Sequence, residues 1–270
     1  MKERESASDA LTFFNPTQTQ LKRWQGLLQP KGRKKEGLFL AEGLKVVREL
    51  MASNWAVEAI LIMEEKRENF SPFLPPWSKK AQIYLLPASK WKKLTQDKTP
   101  EGVMAVVPCR RLKPSSLPNS GRLLFLYGIK DPNNLGAIMR SACWFGFSQI
   151  VLSPGSTDAY HPKAVRTSMG SLFYLSFFFE VDFSVVIPQL KKKGFSLVAG
   201  DPRGGQSPHP LGERVILLLG SESHGLPQEL LPLADELWHI PKVGLGESLS
   251  LPQAAAIMMY AATRKEENYG

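Results

Sequence analysis

Six short stretches in the second half of the chain, "RLLFLYG", "SQIVLS", "LSFFFEV", "FSLVAGD", "VILLLG" and "LWHIP", read as strands, and several are apolar without alternation. A strand apolar on both sides has to be covered on both faces, and that is the pattern of a parallel sheet sandwiched between helices. Helical candidates at 135–147, 162–170, 183–193 and 250–264 lie between the stretches. They supply the crossovers that parallel strands require. This half is therefore an α/β domain with a parallel sheet, and in such sheets ligands bind beyond the carboxyl ends of the strands.

Between "GVMAVVP" and "RLLFLYG" the apolar pattern gives way to "CRRLKPSSLPNS", residues 109–120, which reads as a linker. Upstream of it, residues 17–108 again alternate. Helix-like "PTQTQLKRWQGLLQ", "LKVVRELMAS" and "SKWKKL" are interleaved with strand-like "LFLAEG", "VEAILIM", "QIYLLP" and "GVMAVVP", a small α/β domain of its own. Residues 1–16 read as a flexible start with no apolar leader, which places the chain in the cytoplasm. Lys+Arg exceed Asp+Glu by 34 to 25, a formal charge of +9, so the expected partner is polyanionic. Nucleic acid is favoured over a membrane, because no apolar run is long enough to span one. In "KGRKKEG", Lys31, Arg33, Lys34 and Lys35 flank glycines in what reads as a loop, where solvated cations could meet a phosphate chain. Cys109 and Cys143 and the four histidines show no ligand spacing, so no metal is expected.

Three strand ends carry unusual residues. After "RLLFLYG" comes "IKDPNNLGAIMRSACWFG", where Asn133 or Asn134 could cap the helix. Helical side chains lean toward the amino terminus, so Arg140 should lie back over Gly136 and Ala137 toward the loop of Asn134. "VILLLGSESHGLP" ends a buried strand at Gly220 and offers Glu222. "LWHIPKVGLGESLSLPQAAAIMMYAATR" runs from a strand through a glycine-containing loop into a helix that begins near Ser250. None of these loops is a dinucleotide fingerprint or a phosphate loop.

In order and spacing, the three loops resemble the three motifs of the SpoU family, the TrmH-like ribose 2′-O-methyltransferases of the SPOUT superfamily: "NNLGAIMRSACWFG", "LLLGSESHGLP" and "IPKVGLGESLSLPQAAAIMMYA". Upstream, "KGRKKEGLFLAEGLKVVREL" and "KTPEGVMAVV" resemble the family's amino-terminal substrate-binding domain, similar to a ribosomal-protein fold. The resemblance implies a trefoil-knotted SPOUT catalytic domain over residues 121–270, a homodimer, and S-adenosylmethionine as cofactor. It implies catalytic roles for Asn134, Arg140, Glu222 and Ser248 and cofactor contacts at Gly220, Ile240 and Leu249. The charge of the basic segment and its place in the substrate-binding domain make Lys31, Arg33, Lys34 and Lys35 the expected RNA contacts, with Arg166 on the catalytic domain as a further one. Ser250 stands where the third motif usually has asparagine.

Methyl transfer to a ribose hydroxyl needs in-line positioning and one proton acceptor, and no metal. Arg140 is then either a base assisted by a nearby RNA phosphate or a clamp that holds that phosphate and steadies the developing oxyanion, and because a guanidinium stays protonated the second role is preferred. Ribosomal RNA is the expected substrate. The alternatives are a transfer-RNA methyltransferase, or an RNA-binding assembly protein that retains the fold without activity.

Overall fold

Each of these apolar stretches forms a strand in the computed structural model, which describes residues 11–264. The chain divides into two units, Met1–Cys109 and Arg110–Gly270.

The first unit runs β1 (Phe13–Phe14), α1 (Gln18–Gly26), α2 (Pro30–Glu36), β2 (Leu38–Glu42), α3 (Leu44–Ala52), β3 (Ala59–Met63), α4 (Leu74–Ser78), β4 (Gln82–Leu86), α5 (Ala88–Trp91) and β5 (Val103–Pro108). Its sheet has the order β1-β4-β3-β5-β2, with β3 parallel to β4 and antiparallel to β5. Trp24, Leu40, Leu61, Trp91 and Val106 pack in a core on one face. Phe13 and Phe14 are not part of a flexible start: they pair with Ile83 and Tyr84 as an edge strand, with the Phe14 and Tyr84 rings 5.8 Å apart. Residues 1–10 of that segment lie outside the described residues.

The basic segment is not a loop either. Pro30 presets the first helical φ, and Gly37, at φ +64°, closes α2 in the left-handed conformation. On the helix Lys31, Lys34 and Lys35 are exposed, but Arg33 points inward and is 1 % exposed. Arg33 Nη1 donates to the carbonyls of Leu27 and Leu28 at 2.9 and 3.2 Å, just past the end of α1. Acceptors left over at a helix end favour a cation. The corner is tight, since a Cβ on Gly32 would stand 2.0 Å from the Gly26 carbonyl oxygen.

The second unit runs β6 (Arg122–Leu126), α6 (Pro132–Trp144), β7 (Gln149–Leu152), α7 (Pro162–Thr167), β8 (Ser176–Phe178), α8 (Phe183–Lys192), β9 (Ser196–Gly200), β10 (Val215–Leu219), β11 (Glu236–Trp238) and α9 (Leu251–Thr263). All six strands are parallel, in the order β11-β9-β10-β6-β7-β8. The central pair, β10 and β6, is buried along nearly its whole length, as the unbroken apolar runs require. Helix α6 packs against α7 and α9, with the Phe145 ring, just past α6, 6.0 Å from that of Tyr260.

The stretch read as a linker belongs largely to this unit. Arg110 is held through its main chain by Tyr160, whose hydroxyl accepts from the Arg110 amide at 3.0 Å and donates to its carbonyl. The Leu112 amide donates to the Phe177 carbonyl at 3.3 Å, and Leu117 is buried in the core. Tyr160 and Leu117 supply apolar burial that charge and proline content in the sequence conceal.

Candidate active site

The carboxyl ends of β6, β7, β9, β10 and β11 share one edge of the sheet, and the sequence candidates of the second unit gather mainly in the loops there. Helix α6 is capped by Asp131, not by either asparagine: Asp131 Oδ1 accepts from the Asn133 amide at 2.9 Å and from Asn133 Nδ2 at 3.1 Å. Thr167 Oγ1 reaches Asn133 Oδ1 at 3.4 Å. Asn133 is thus accounted for by local structure. Asn134 is not, because its Nδ2 donates to Glu222 Oε1 at 2.5 Å, across 88 residues of sequence. One hydrogen bond therefore ties the loop after β6 to the loop after β10.

Glu222 is presented by a closed turn. The Ser221 amide donates to the Gly225 carbonyl at 3.2 Å, the Gly225 amide returns to Ser221 at 2.9 Å, and the His224 amide donates to Ser221 Oγ at 3.3 Å. Gly225 sits at φ +64°. Gly220 has to be glycine for this turn, since a Cβ there would lie 2.2 Å from the Gly225 carbonyl carbon. Its lack of a side chain therefore serves the turn itself.

Arg140 is placed differently from the expectation. Gly136 does not make room for its stem: a Cβ at Gly136 would lie 2.6 Å from the Ala164 carbonyl oxygen, so that space is filled by α7. Asn134 and Arg140 are six residues apart, about 240° around a helix at 3.6 residues per turn, and they leave different faces. Arg140 is exposed, on the stripe that also carries Asn133 and Trp144. Among the described residues no hydrogen bond or ion pair joins it to Asn134, Glu222 or Ser248.

The loop from Pro241 to Ser250, which carries Ser248 and Leu249, is exposed throughout, while Ile240 is half-buried. Ser250 does cap α9, with its amide and hydroxyl both donating to Gln253 Oε1 at 3.3 and 3.1 Å. Among the described residues, no backbone-to-backbone hydrogen bond engages the amides of residues 240–249. Apolar Ile240 and Leu249 flanking free main-chain donors and acceptors form a donor set suited to an adenosine, with flat faces and a polar edge. Next to Ile240, His239 Nδ1 is enclosed and lacks a partner, a polar atom that a bound nucleoside could satisfy. Arg166 is partly buried on α7.

Sequence reasoning passed over Asp201 at the end of β9. Its amide donates to the Trp238 carbonyl at 2.9 Å, and its carboxylate receives Arg203 Nε and Nη2 at 2.9 and 2.8 Å. That guanidinium holds the Asp201 carboxyl below the usual aspartate range, against its own burial. The available signal was its place directly after "FSLVAG".

Residues 121–260 match the family described as the SpoU rRNA Methylase family, and residues 18–105 match the MRM3-like substrate binding domain. The 23S rRNA (guanosine(2553)-2'-O)-methyltransferase RlmP of Bacillus subtilis is 29% identical over 244 residues, covering 89% of this chain and 94% of its own. The 23S rRNA (uridine(2479)-2'-O)-methyltransferase of Streptomyces viridochromogenes is 27% identical over 282 residues, covering 97% and 94%. Among solved structures, an AdoMet-bound rRNA methyltransferase from Sinorhizobium meliloti superposes with a TM-score of 0.75 at 25% identity, covering 93% of this chain and 96% of that one.

Proposed function

The chain belongs to the SpoU rRNA methylase family, and on that premise we propose that it methylates a ribose 2′-hydroxyl of ribosomal RNA. The observation that carries this reading is the Asn134–Glu222 hydrogen bond, which joins the first and second motif loops at the carboxyl edge of a parallel sheet. The two relatives named above both act on 23S rRNA, which favours ribosomal over transfer RNA.

S-adenosylmethionine, when bound, would supply a methyl group activated on a sulfonium. Ile240 and Leu249 would hold its nucleoside between apolar side chains and unengaged main-chain groups, beside Gly220. Glu222 fixes the Asn134 amide, so the Asn134 carbonyl oxygen is left to face a ribose hydroxyl. Arg140, exposed and without an ion-pair partner among the described residues, is free to take an RNA phosphate and hold the ribose in line. Lys31, Lys34 and Lys35 on α2 supply sequence-independent affinity for the phosphate chain. Arg33 leaves that group, because its guanidinium is committed to Leu27 and Leu28. A working homodimer in the cytoplasm completes the proposal, and apolar side chains left exposed on α6 and α9, Trp144 at 83% and Tyr260 at 56%, support the dimer.

The test is methylation of unmodified ribosomal and transfer RNA transcripts by the purified protein, with the modified ribose mapped by its resistance to alkaline cleavage. One methylated ribosomal position is the expected result. A protein that binds S-adenosylmethionine and ribosomal RNA but methylates neither class would overturn the reading in favour of an RNA-binding assembly factor.

A further inference from the structure

A cavity of about 310 Å³ opens between the loops that follow β6, β7 and β10. Tyr127, Lys130, Pro154, Ser221, His224 and Leu226 are among the residues that line it. Its position follows from the strand order: β10 lies between β9 and β6. Of the residues proposed for the cofactor, Gly220 closes β10 and Ile240 follows β11, on the β9 side of β10, while Leu249 directly precedes α9. The cavity takes its walls from β10, β6 and β7, on the other side. The Ser221–Gly225 turn is the partition, and it is also the turn that presents Glu222 to Asn134. A ligand in the cavity therefore rests against the same turn that carries Glu222.

The chemistry of the walls is specific. The Tyr127 ring, Pro154, Leu226 and Pro227 offer flat apolar surface, and none of the lining residues is acidic. The polar groups that remain lie at the edges. Lys130 Nζ is anchored at 2.7 Å to the Gly155 carbonyl, which fixes a cation at the rim. His224 has one ring nitrogen, Nδ1, engaged with Ser223 Oγ at 2.8 Å, which leaves Nε2 for a ligand. The frame is stiff: the Gly128 amide donates to Ser153 Oγ at 2.9 Å, and the Thr157 amide donates to the Ile129 carbonyl at 2.7 Å. Gly128, at φ +68°, makes the bend that lets these loops meet. A cavity of this volume, at the small end of ligand pockets, suits one planar ring system with a polar edge and an attached anion.

We propose that this cavity receives the nucleobase of the target nucleotide, swung out of the RNA stack, with Tyr127 and His224 against the base and Lys130 on its phosphate. The proposal rests on the methyltransferase reading and deepens it. An enzyme that must bring one ribose hydroxyl to the Asn134–Glu222 pair gains both position and selectivity by seizing the base attached to that ribose. The cavity is then where the identity of the methylated nucleotide is read, separately from the binding of the RNA chain by the first unit.

The experiment uses the full chain, unmodified 23S rRNA transcript and radiolabelled S-adenosylmethionine, with the exposed positions His224→Trp and Lys130→Gln as variants. The expected result for His224→Trp, which fills the cavity, is a turnover lower by about tenfold to a hundredfold, the range that loss of base stacking gives. For His224→Trp the affinities for cofactor and for transcript, measured by calorimetry and filter binding, stay unchanged, whereas Lys130→Gln raises the KM for transcript at unchanged cofactor affinity. A short RNA bearing 2-aminopurine at the mapped nucleotide should brighten on binding to the wild type and stay dim with His224→Trp. Wild-type turnover in both variants with a dim probe overturns the proposal while leaving the methyltransferase reading intact. Parallel loss of cofactor affinity in both variants would assign the cavity to the cofactor instead. A wild-type protein that methylates no RNA defeats the parent reading, and the base site falls with it.

Discussion

In the α1–α2 corner, Arg33 is 1 % exposed and spends its guanidinium on the carbonyls of Leu27 and Leu28, whereas Arg140 on α6 is exposed and makes no ion pair among the described residues. Each lies on a helix that begins at a proline, close to glycine. The difference lies in what each guanidinium finds around it. Arg33 meets the leftover acceptors at the end of α1 and neutralises them, so its charge is consumed inside the fold. Arg140 finds Gly136 already packed under α7, is left on the outer stripe, and keeps its charge for a ligand. The first arginine supports the fold, and the second is available for chemistry.

This contrast gives opposite mutational signatures. The largest effect is expected at Arg140. Arg140→Ala should lower turnover by about a hundredfold, the loss that a small misplacement of the reacting hydroxyl carries. Its melting temperature and cofactor affinity should match the wild type, and Arg140→Lys should also fail, because lysine lacks the planar fork. A melting temperature that falls with activity would erase the distinction. Next comes Arg33→Ala, which should cost the first unit about 1.5–3 kcal/mol, the range for hydrogen bonds to a charged group. Denaturant titration measures this, and methylation by the folded fraction should continue. A normally stable variant with weakened RNA binding would place Arg33 beside Arg140.

The three lysines of α2 sharpen the contrast further, because they share a helix with Arg33 yet face water. Replacing Lys31, Lys34 and Lys35 by glutamine should leave stability unchanged and flatten the dependence of log RNA affinity on log salt by about two to three, one increment for each phosphate that is no longer neutralised. An unaltered slope means that α2 does not touch RNA. The smallest effect belongs to Arg203, an intermediate case, exposed itself but paired with nearly buried Asp201. Because the folded-state carboxyl is held below its ordinary range, its stabilisation is complete above that range and is lost as the pH falls through the depressed value. Arg203→Ala should therefore destabilise only slightly at neutral pH, as expected for a solvent-screened pair. The gap from wild type should close in acid well below the ordinary aspartate value of about 3.9. A gap that persists in acid would mean that Arg203 acts through packing.

The strands were readable because burial on both faces leaves unbroken apolar runs, and "VILLL" became β10 in full. The cap of α6 was misread because Asp131, Asn133 and Asn134 are all chemically able to cap, and only the position of Pro132 at the first helical residue selects Asp131. The pairing of Asn134 with Glu222 spans 88 residues and depends on two loops meeting at a sheet edge. Local pattern contains no trace of that, and motif order supplied it. Arg33 was misassigned because a buried arginine and a solvated one are the same letter, and the carbonyls that bury it belong to a neighbouring helix. The cavity residues Tyr127, Lys130 and His224 come from loops with no shared spacing.

The segment from Arg110 to Leu117 bears on how the second unit can be handled in isolation. β8 is the last strand of its sheet, and the bridge from Leu112 to Phe178 covers its outer side. An uncovered strand edge is a template for pairing with any other chain. A fragment cut at residue 121, where sequence pattern alone sets the boundary, would lose that cover and the apolar plug at Leu117 together. It would be expected to precipitate or to form non-native assemblies that could be mistaken for a working dimer. A fragment that begins at Arg110 keeps its edge guarded, and it is the one whose association state can be interpreted.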